Sequence, residues 1–366
     1  MTSVLFESHH LYYLPHFQPI IKELQKRGDY EITASIPLTV AADERLLFAE
    51  SVQKLGVEII SAQDEEARIS KLRQRGFDIV IVGNVGKLKE IAAENSMVVM
   101  VYHGIGLKQS YYTDMSPRVD LRAVESEARF SELEESGETN LVLTGLTKLD
   151  ALVFDQESSR ERLLREWGLD SALPTVLYAP TFYPSSLEKL LPDISVLAEK
   201  ANVFVKLHNF SWHQKRYRYQ SQVVSEVSED RKRLVLLPPD EFDITKFFSV
   251  ADVLLSDISS TLFEFLAVNR PIIQTHFYTP KPSHRIFRWR LSRRLDSARA
   301  HEIDFTHPLN HPSDLVPIVN HVLDNPGELS SVRIAAAKRY LCKVDGQATS
   351  RLLDAIEEKL KERDSG

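Results

Sequence analysis

Four short segments combine residues that could move protons or hold phosphate. Tyr102-His103-Gly104-Ile105-Gly106-Leu107-Lys108 places an imidazole, able to take a proton near neutral pH, beside two glycines that let backbone approach a ligand. In Val205-Lys206-Leu207-His208 a cation and an imidazole stand two residues apart, on one face of a strand, where both can meet a phosphate. Asp252 to Glu264 runs an apolar strand through Ser256-Asp257-Ile258-Ser259-Ser260 into a helix. There Thr261 and Glu264 fit a capping box, and Ser259, Ser260 and the open N–H groups of the helix start suit a phosphate. Tyr178-Ala179-Pro180-Thr181-Phe182 ends a further strand in a turn. Each segment also has a plain structural reading: a turn histidine with its glycines, a lysine at a sheet edge, a well-capped helix, a strand and its turn. The residues alone leave both open. A lone G-x-G is weak, and the full dinucleotide fingerprint is absent.

The elements that must position these groups alternate in type. Val4–Phe6, Tyr30–Ser35, Val57–Ile60, Asp78–Val82 and Met97–Tyr102 read as strands. Leu14–Arg27, Asp43–Leu55, Glu65–Arg75 and Lys87–Glu94 read as the helices between them. Tyr111–Arg118 reads as loop, Arg122–Ser136 as an acidic helix and Asn140–Thr144 as a strand. A second alternating series follows Pro174, with strands at Thr175–Ala179, Val203–Leu207, Leu234–Leu237, Asp252–Ser256 and Pro271–Gln274. Its helices are Ser186–Ala201, Gln214–Ser228, Glu241–Ser249 and Thr261–Val268, then Pro312–Asp324, Glu328–Leu341 and Ala348–Arg363. Short β-branched strands, apolar on both faces, imply parallel sheets covered by helices. The expected fold is therefore α/β, with two Rossmann-like domains facing a central cleft. An N-terminal domain is placed at 1–160, a second at 170–345, and a terminal helix at 346–366 returning to the first. The hinge is set at Asp155–Leu173. Ligands of open parallel sheets sit beyond the carboxyl ends of strands, which is where all four segments fall.

Composition narrows the function classes. The chain has 366 residues, 43% of them hydrophobic and 27% charged, so it can bury two cores and is not a disordered chain. No window approaches the ~18 apolar residues of a membrane-spanning helix, and the N-terminus lacks the pattern of a secretory signal. One cysteine, Cys342, excludes an intrachain disulfide and any multi-cysteine metal site. A net charge of −7 argues against general nucleic-acid binding. The expected location is cytoplasmic. Lys281–Arg294, which holds six Lys/Arg and no acid around Phe287, Trp289 and Leu291, has two readings: a solvated surface segment, or a peripheral docking site on the anionic inner face of the plasma membrane. On an anionic surface each such cation contributes about 1 kcal/mol. A second basic-aromatic run, Trp212–Tyr219, reads as a helix face.

Taken in order, the segments resemble the CDP-glycerol:polyglycerophosphate glycerophosphotransferases, which prime or polymerise wall teichoic acid and some capsules. Tyr102-His103-Gly104 with Lys108 resembles the family's W-H-G-x-x-x-K, and Thr144 to Asp150 its T-G-x-P-R-x-D. Leu177 to Thr181 matches L-Y-A-P-T, and Lys206-Leu207-His208 matches K-L-H. Asp252 to Ser260 resembles D-V-L-I-T-D-Y-S-S, and Asp345-Gly346 with Ser350-Arg351 resembles D-G-x-x-S-x-R. Tyr102 stands for the usual tryptophan, Lys148 for an arginine, Asn209 for a proline and Ile258 for a tyrosine, and Ser3–Phe17 matches no family segment.

The resemblance implies a GT-B fold and attack of an acceptor hydroxyl on the β-phosphorus of CDP-glycerol, with CMP leaving. It implies His103 as general base, His208 and Lys206 on the diphosphate, and Asp257 positioning the site. Gly104, Lys108, Lys148, Pro180, Thr181, Ser259 and Ser260 join them around the donor. No cofactor and no metal are expected. The implied partners are a CDP-activated polyol donor and a lipid-linked or polymer acceptor. Two other classes suit the same pattern: a UDP-sugar glycosyltransferase or UDP-N-acetylglucosamine 2-epimerase-like enzyme, and a non-catalytic nucleotide-binding module.

Overall fold

Ile79–Val82 and Met97–Val101 are buried at every residue, as strands covered by helices on both faces must be. The computed structural model describes residues 1–105, 116–153, 156–279 and 303–365. The chain divides into two units, the first chiefly from residues up to Ala151 together with Arg339 onward, the second from Leu152–Lys338.

The first unit is built on a parallel sheet of β1 (Thr2–Glu7), β2 (Tyr30–Ser35), β3 (Glu58–Ile59), β4 (Ile79–Val82), β5 (Met97–Val101), β6 (Leu121–Val124) and β7 (Leu141–Leu143). The strand order is β3-β2-β1-β4-β5-β6-β7, so the winding reverses between β1 and β4. Leu5, Val80, Val82, Val98, Met100 and Val124 form its core. The second unit has β8 (Thr175–Ala179), β9 (Asn202–Val205), β10 (Leu234–Leu236), β11 (Val253–Ser256), β12 (Ile272–Thr275) and β13 (His307–Leu309), again parallel, ordered β10-β9-β8-β11-β12-β13. Its winding reverses between β8 and β11. Reversal points are where two loops diverge and leave a crevice at the strands' carboxyl ends.

Five sequence expectations are corrected. Arg122 begins no helix: it lies in β6, fully buried, and the helix is Glu127–Glu135, capped by Ser126, whose Oγ accepts from Arg129 N at 3.2 Å. An arginine fits this strand because its guanidinium reaches Glu138 at 3.1 Å, the Tyr102 hydroxyl at 3.2 Å and the Ser116 carbonyl at 3.1 Å. Thr261 is the first helical residue rather than the cap; Ser260 holds that place, and Ser259 Oγ accepts from Thr261 N at 3.3 Å. The run Trp212–Tyr219 is no single helix face, because one helix, Asn209–His213, ends inside it and the next, Tyr219–Ser228, begins at its last residue. β13 lies in a stretch where no strand was expected, and the segment read as a hinge contains the helix Gln156–Glu166.

A buried ion pair fixes the ends of β1 and β2. Arg68, on the helix Glu65–Arg75, meets Glu7 at 2.9 Å and Ser35 Oγ at 2.5 Å, and both Arg68 and Glu7 are 0% exposed. Burial pushes the Glu7 carboxyl up against the pull of Arg68. Removing one member of such a pair strands the other's charge, so Arg68→Ala is expected to cost about 3–5 kcal/mol in chemical denaturation. A loss under about 1 kcal/mol would show that Glu7 re-solvates and that the pair does not hold these strand ends.

Candidate functional site

In the second unit the groups gather at the β8/β11 reversal. Asp257 follows β11 directly, is 4% exposed, and serves as a knot between neighbouring strand ends. Its Oδ2 accepts from Thr181 N at 3.1 Å and Ser186 N at 3.2 Å, and its Oδ1 accepts from Thr275 Oγ1 at 2.7 Å and from Ser186 Oγ. Thr181 lies just past β8, Thr275 ends β12, and Ser186 precedes the helix Leu187–Leu197. Burial raises the Asp257 carboxyl to about 6, against the opposing pull of these donors. Its four protein donors make it a residue that positions the turns carrying Pro180, Thr181, Ser259 and Ser260. Ser259 and Ser260 are half-buried beyond β11, whereas Pro180 is buried.

Lys206 and His208 lie just past β9, which ends at Val205. Burial lowers the Lys206 ammonium to about 8, with Asp243 and Glu241 pulling it back up. His208 is the N-cap of Asn209–His213, and its Nδ1 accepts from Phe210 N at 3.1 Å. With Nδ1 accepting, the ring presents Nε2 as its N–H donor, suited to a phosphate oxygen. Phe182 and Phe210 pack on the ring at 4.7 and 5.0 Å.

In the first unit His103 lies past β5, in contact with a cluster that the sequence reading did not pick out. The segment after β1 is His9-His10-Leu11-Tyr12-Tyr13-Leu14-Pro15-His16. Tyr13 meets the His103 ring edge-on at 4.4 Å and Tyr12 lies 5.1 Å from it. His16 is 1% exposed and hydrogen-bonds the backbone of His103; burial first, then the charges of Lys148 and His103, hold its imidazole well below the usual range and so neutral. Thr147 Oγ1 donates to the His16 carbonyl at 2.8 Å, which brings Lys148 to this cluster. The loop after β4 closes against it, and Asn84 Nδ2 donates to the Tyr13 hydroxyl at 2.8 Å. A Cβ at Gly83 would lie 2.0 Å from the Tyr13 ring and one at Gly86 1.9 Å from His9 Nε2, so only glycine fits either place. Gly104 is buried beside His103, while Lys108 and Lys281–Arg294 lie outside the described residues.

Two of the family-like segments are tied to each other. Asp150 accepts from Ala348 N at 3.0 Å and Thr349 N at 2.8 Å, at the start of the helix Ala348–Ser365. Arg351 donates to the Thr144 carbonyl at 2.8 Å and pairs with Asp345 at 2.9 Å. A signal for the histidine cluster was present, since three histidines and two tyrosines directly follow a first strand. Its weight came only from β1 lying beside β4.

Among the described residues no helix is long and apolar enough to cross a membrane. A sequence profile of the family described as CDP-Glycerol:Poly(glycerophosphate) glycerophosphotransferase matches residues 78–358. The teichoic acid glycerol-phosphate primase of Bacillus subtilis (strain 168) is 32% identical over 110 residues, spanning 28% of this chain and a quarter (25%) of that protein's length. The solved structure of the wall teichoic acid polymerase TagF superposes with a TM-score of 0.70 at 16% identity, covering 100% of this chain and 90% of that one. The UDP-GlcNAc 2-epimerase from Neisseria meningitidis, bound to UDP-GlcNAc, gives 0.61 at 12% identity, over 97% of this chain and 100% of that one. At such identities the likeness establishes the fold, α/β and GT-B-like.

Proposed function

The chain belongs to the CDP-glycerol:poly(glycerophosphate) glycerophosphotransferase family, and from that premise we propose that it transfers glycerol phosphate, or a related polyol phosphate, from a CDP-activated donor to an acceptor hydroxyl. The observation that supports this most is the ordered strand-end set within the matched region: His103 past β5, Lys206 and His208 past β9, and the Asp257-organised turns past β8 and β11. The acceptor oxygen attacks the β-phosphorus and the bond from that phosphorus to the bridging oxygen breaks. CMP leaves with the bond's electron pair, and the hydroxyl proton passes to His103. Phosphoryl transfer asks for placement and charge neutralisation. Lys206, His208 Nε2, Ser259 and Ser260 are assigned to the diphosphate, and Gly104 and Lys148 to the surroundings of the base. Neither metal nor cofactor is assigned a step. The acceptor in this reading is lipid-linked or a growing teichoic-acid-type polymer, reached from the cytoplasmic face of the membrane. A UDP-sugar reading draws on the fold alone, whereas the family match favours the CDP-polyol.

The direct test is to incubate the purified chain with CDP-glycerol labelled in the glycerol and a lipid-linked or polymer acceptor. CMP is expected to appear in step with label in the acceptor; CMP-free incubations across the acceptor panel would reject the reading. Lys206 adds a pH signature. Its cation is lost as pH rises through about 8, so the dissociation constant for CDP-glycerol is expected to rise between pH 7 and 9, approaching tenfold per pH unit above that value. Titrations of wild type and Lys206→Met check it: a flat wild-type profile, or the same slope in both, would remove Lys206 from the diphosphate.

A further inference from the structure

The family profile begins at Asp78, and ahead of it lies a histidine that the transfer mechanism does not use. His10 Nδ1 lies 3.1 Å from Glu44 Oε1, on the helix Ala42–Lys54. The same oxygen accepts from Leu11 N at 2.9 Å, so the carboxylate is tied to the backbone beside the histidine it orients. Glu44's side chain is 2% exposed and His10's is 27% exposed. A buried carboxylate holding one ring nitrogen of a partly exposed histidine sets the tautomer and aim of the imidazole, as it does for histidines that work on substrates. Ser8 Oγ donates to the His10 carbonyl at 2.8 Å and fixes the main chain as well.

The placement points to the acceptor. His10 stacks on Tyr12 at 5.1 Å with 21° between ring planes, and Tyr12 in turn lies 5.1 Å from His103. Tyr12 is thus a spacer, and His10 and His103 lie within about two ring contacts of each other. Both stand past the carboxyl ends of strands on the same sheet, and the β1/β4 reversal lies between β5 and the segment of His10. Resting on the reading of His103 as base, we infer that the His10–Glu44 dyad is an acceptor-binding pair: His10 hydrogen-bonds an oxygen of the acceptor near the attacking hydroxyl and sets which acceptors are used. That oxygen belongs to a phosphate or to a sugar hydroxyl, and the two sources are separable by experiment.

The test is steady-state kinetics on wild type, His10→Gln, Glu44→Gln and His103→Ala, with CDP-glycerol as donor and two acceptor probes, a synthetic glycerol phosphate oligomer and an alkyl glycoside. His10→Gln and Glu44→Gln are expected to raise the acceptor KM about tenfold, as loss of one polar contact does, while donor KM and melting temperature stay within twofold and about 2 °C of wild type. The probe whose KM moves identifies the oxygen, phosphate or hydroxyl. An unchanged acceptor KM in both variants overturns the inference. So does a fall in kcat matching that of His103→Ala, which would put His10 in proton transfer instead. If wild type neither binds nor turns over CDP-glycerol, the transfer reading itself fails, and that result is seen before any variant is made.

Discussion

Replacing His103 with alanine is expected to lower transfer by about 10²–10⁴-fold, the range a positioned base contributes. CDP-glycerol and CMP should bind the variant about as well as wild type, because the groups assigned to the diphosphate belong to the second unit. The expectation follows from how His103 is held. Its backbone is bonded by buried His16, and its ring is packed by Tyr12 and Tyr13. Such packing limits the ring to few orientations, which a proton acceptor requires. The measurement is kcat with saturating donor, beside a calorimetric titration of CMP. Activity within tenfold of wild type would remove His103 as the base. Lost CMP affinity with lost activity would place it in donor binding.

The second large effect belongs to Asp257. Alanine there leaves the Thr181 and Ser186 amides and two hydroxyls without their acceptor. At about 1–3 kcal/mol for each buried donor left unpaired, the two amides alone account for about 2–6 kcal/mol. Asparagine keeps one acceptor oxygen and should lose less. Both variants are expected to bind CDP-glycerol more weakly, since the turns with Thr181, Ser259 and Ser260 lose their common anchor. The pH dependence separates charge from shape. The folded-state value near 6 lies above the ordinary 3.8, so this group's stabilising contribution is complete below about 4 and is lost as pH rises through about 6. Asp257→Asn should remove that slope from the stability–pH curve. Denaturation midpoints from pH 4 to 7 decide it: an unchanged slope in the variant would assign the pH dependence elsewhere.

The second unit's site was legible because its chemistry is local in sequence. Lys206 and His208 adjoin one apolar run, and Asp257, Ser259 and Ser260 another. The donors that occupy Asp257 were not legible, since Thr181 and Thr275 are brought to it only by the order β8-β11-β12. Thr261 looked like a cap because periodicity does not reveal that the helix opens one residue earlier, on Thr261 itself, with Ser260 at the cap position. Arg122 hid β6 because a buried arginine in a strand depends on Glu138, Tyr102 and Ser116, which no local pattern supplies. The His9–His16 cluster escaped notice for the same reason: its walls come from Gly83 and Gly86, far along the chain past the end of β4. The Asp150 and Arg351 segments read as family signature, yet their contacts tie the C-terminal helix to the first sheet's end.

The central claim is that a CDP-activated polyol is the donor, and calorimetric titration of the purified full chain with CDP-glycerol, CMP and UDP-N-acetylglucosamine tests it most directly. Saturable binding of CDP-glycerol and CMP is expected, weakened by Lys206→Met, with at least about tenfold weaker binding of the uridine sugar. Tight binding of UDP-N-acetylglucosamine with none of CDP-glycerol would contradict it and give the site to a sugar-nucleotide reaction.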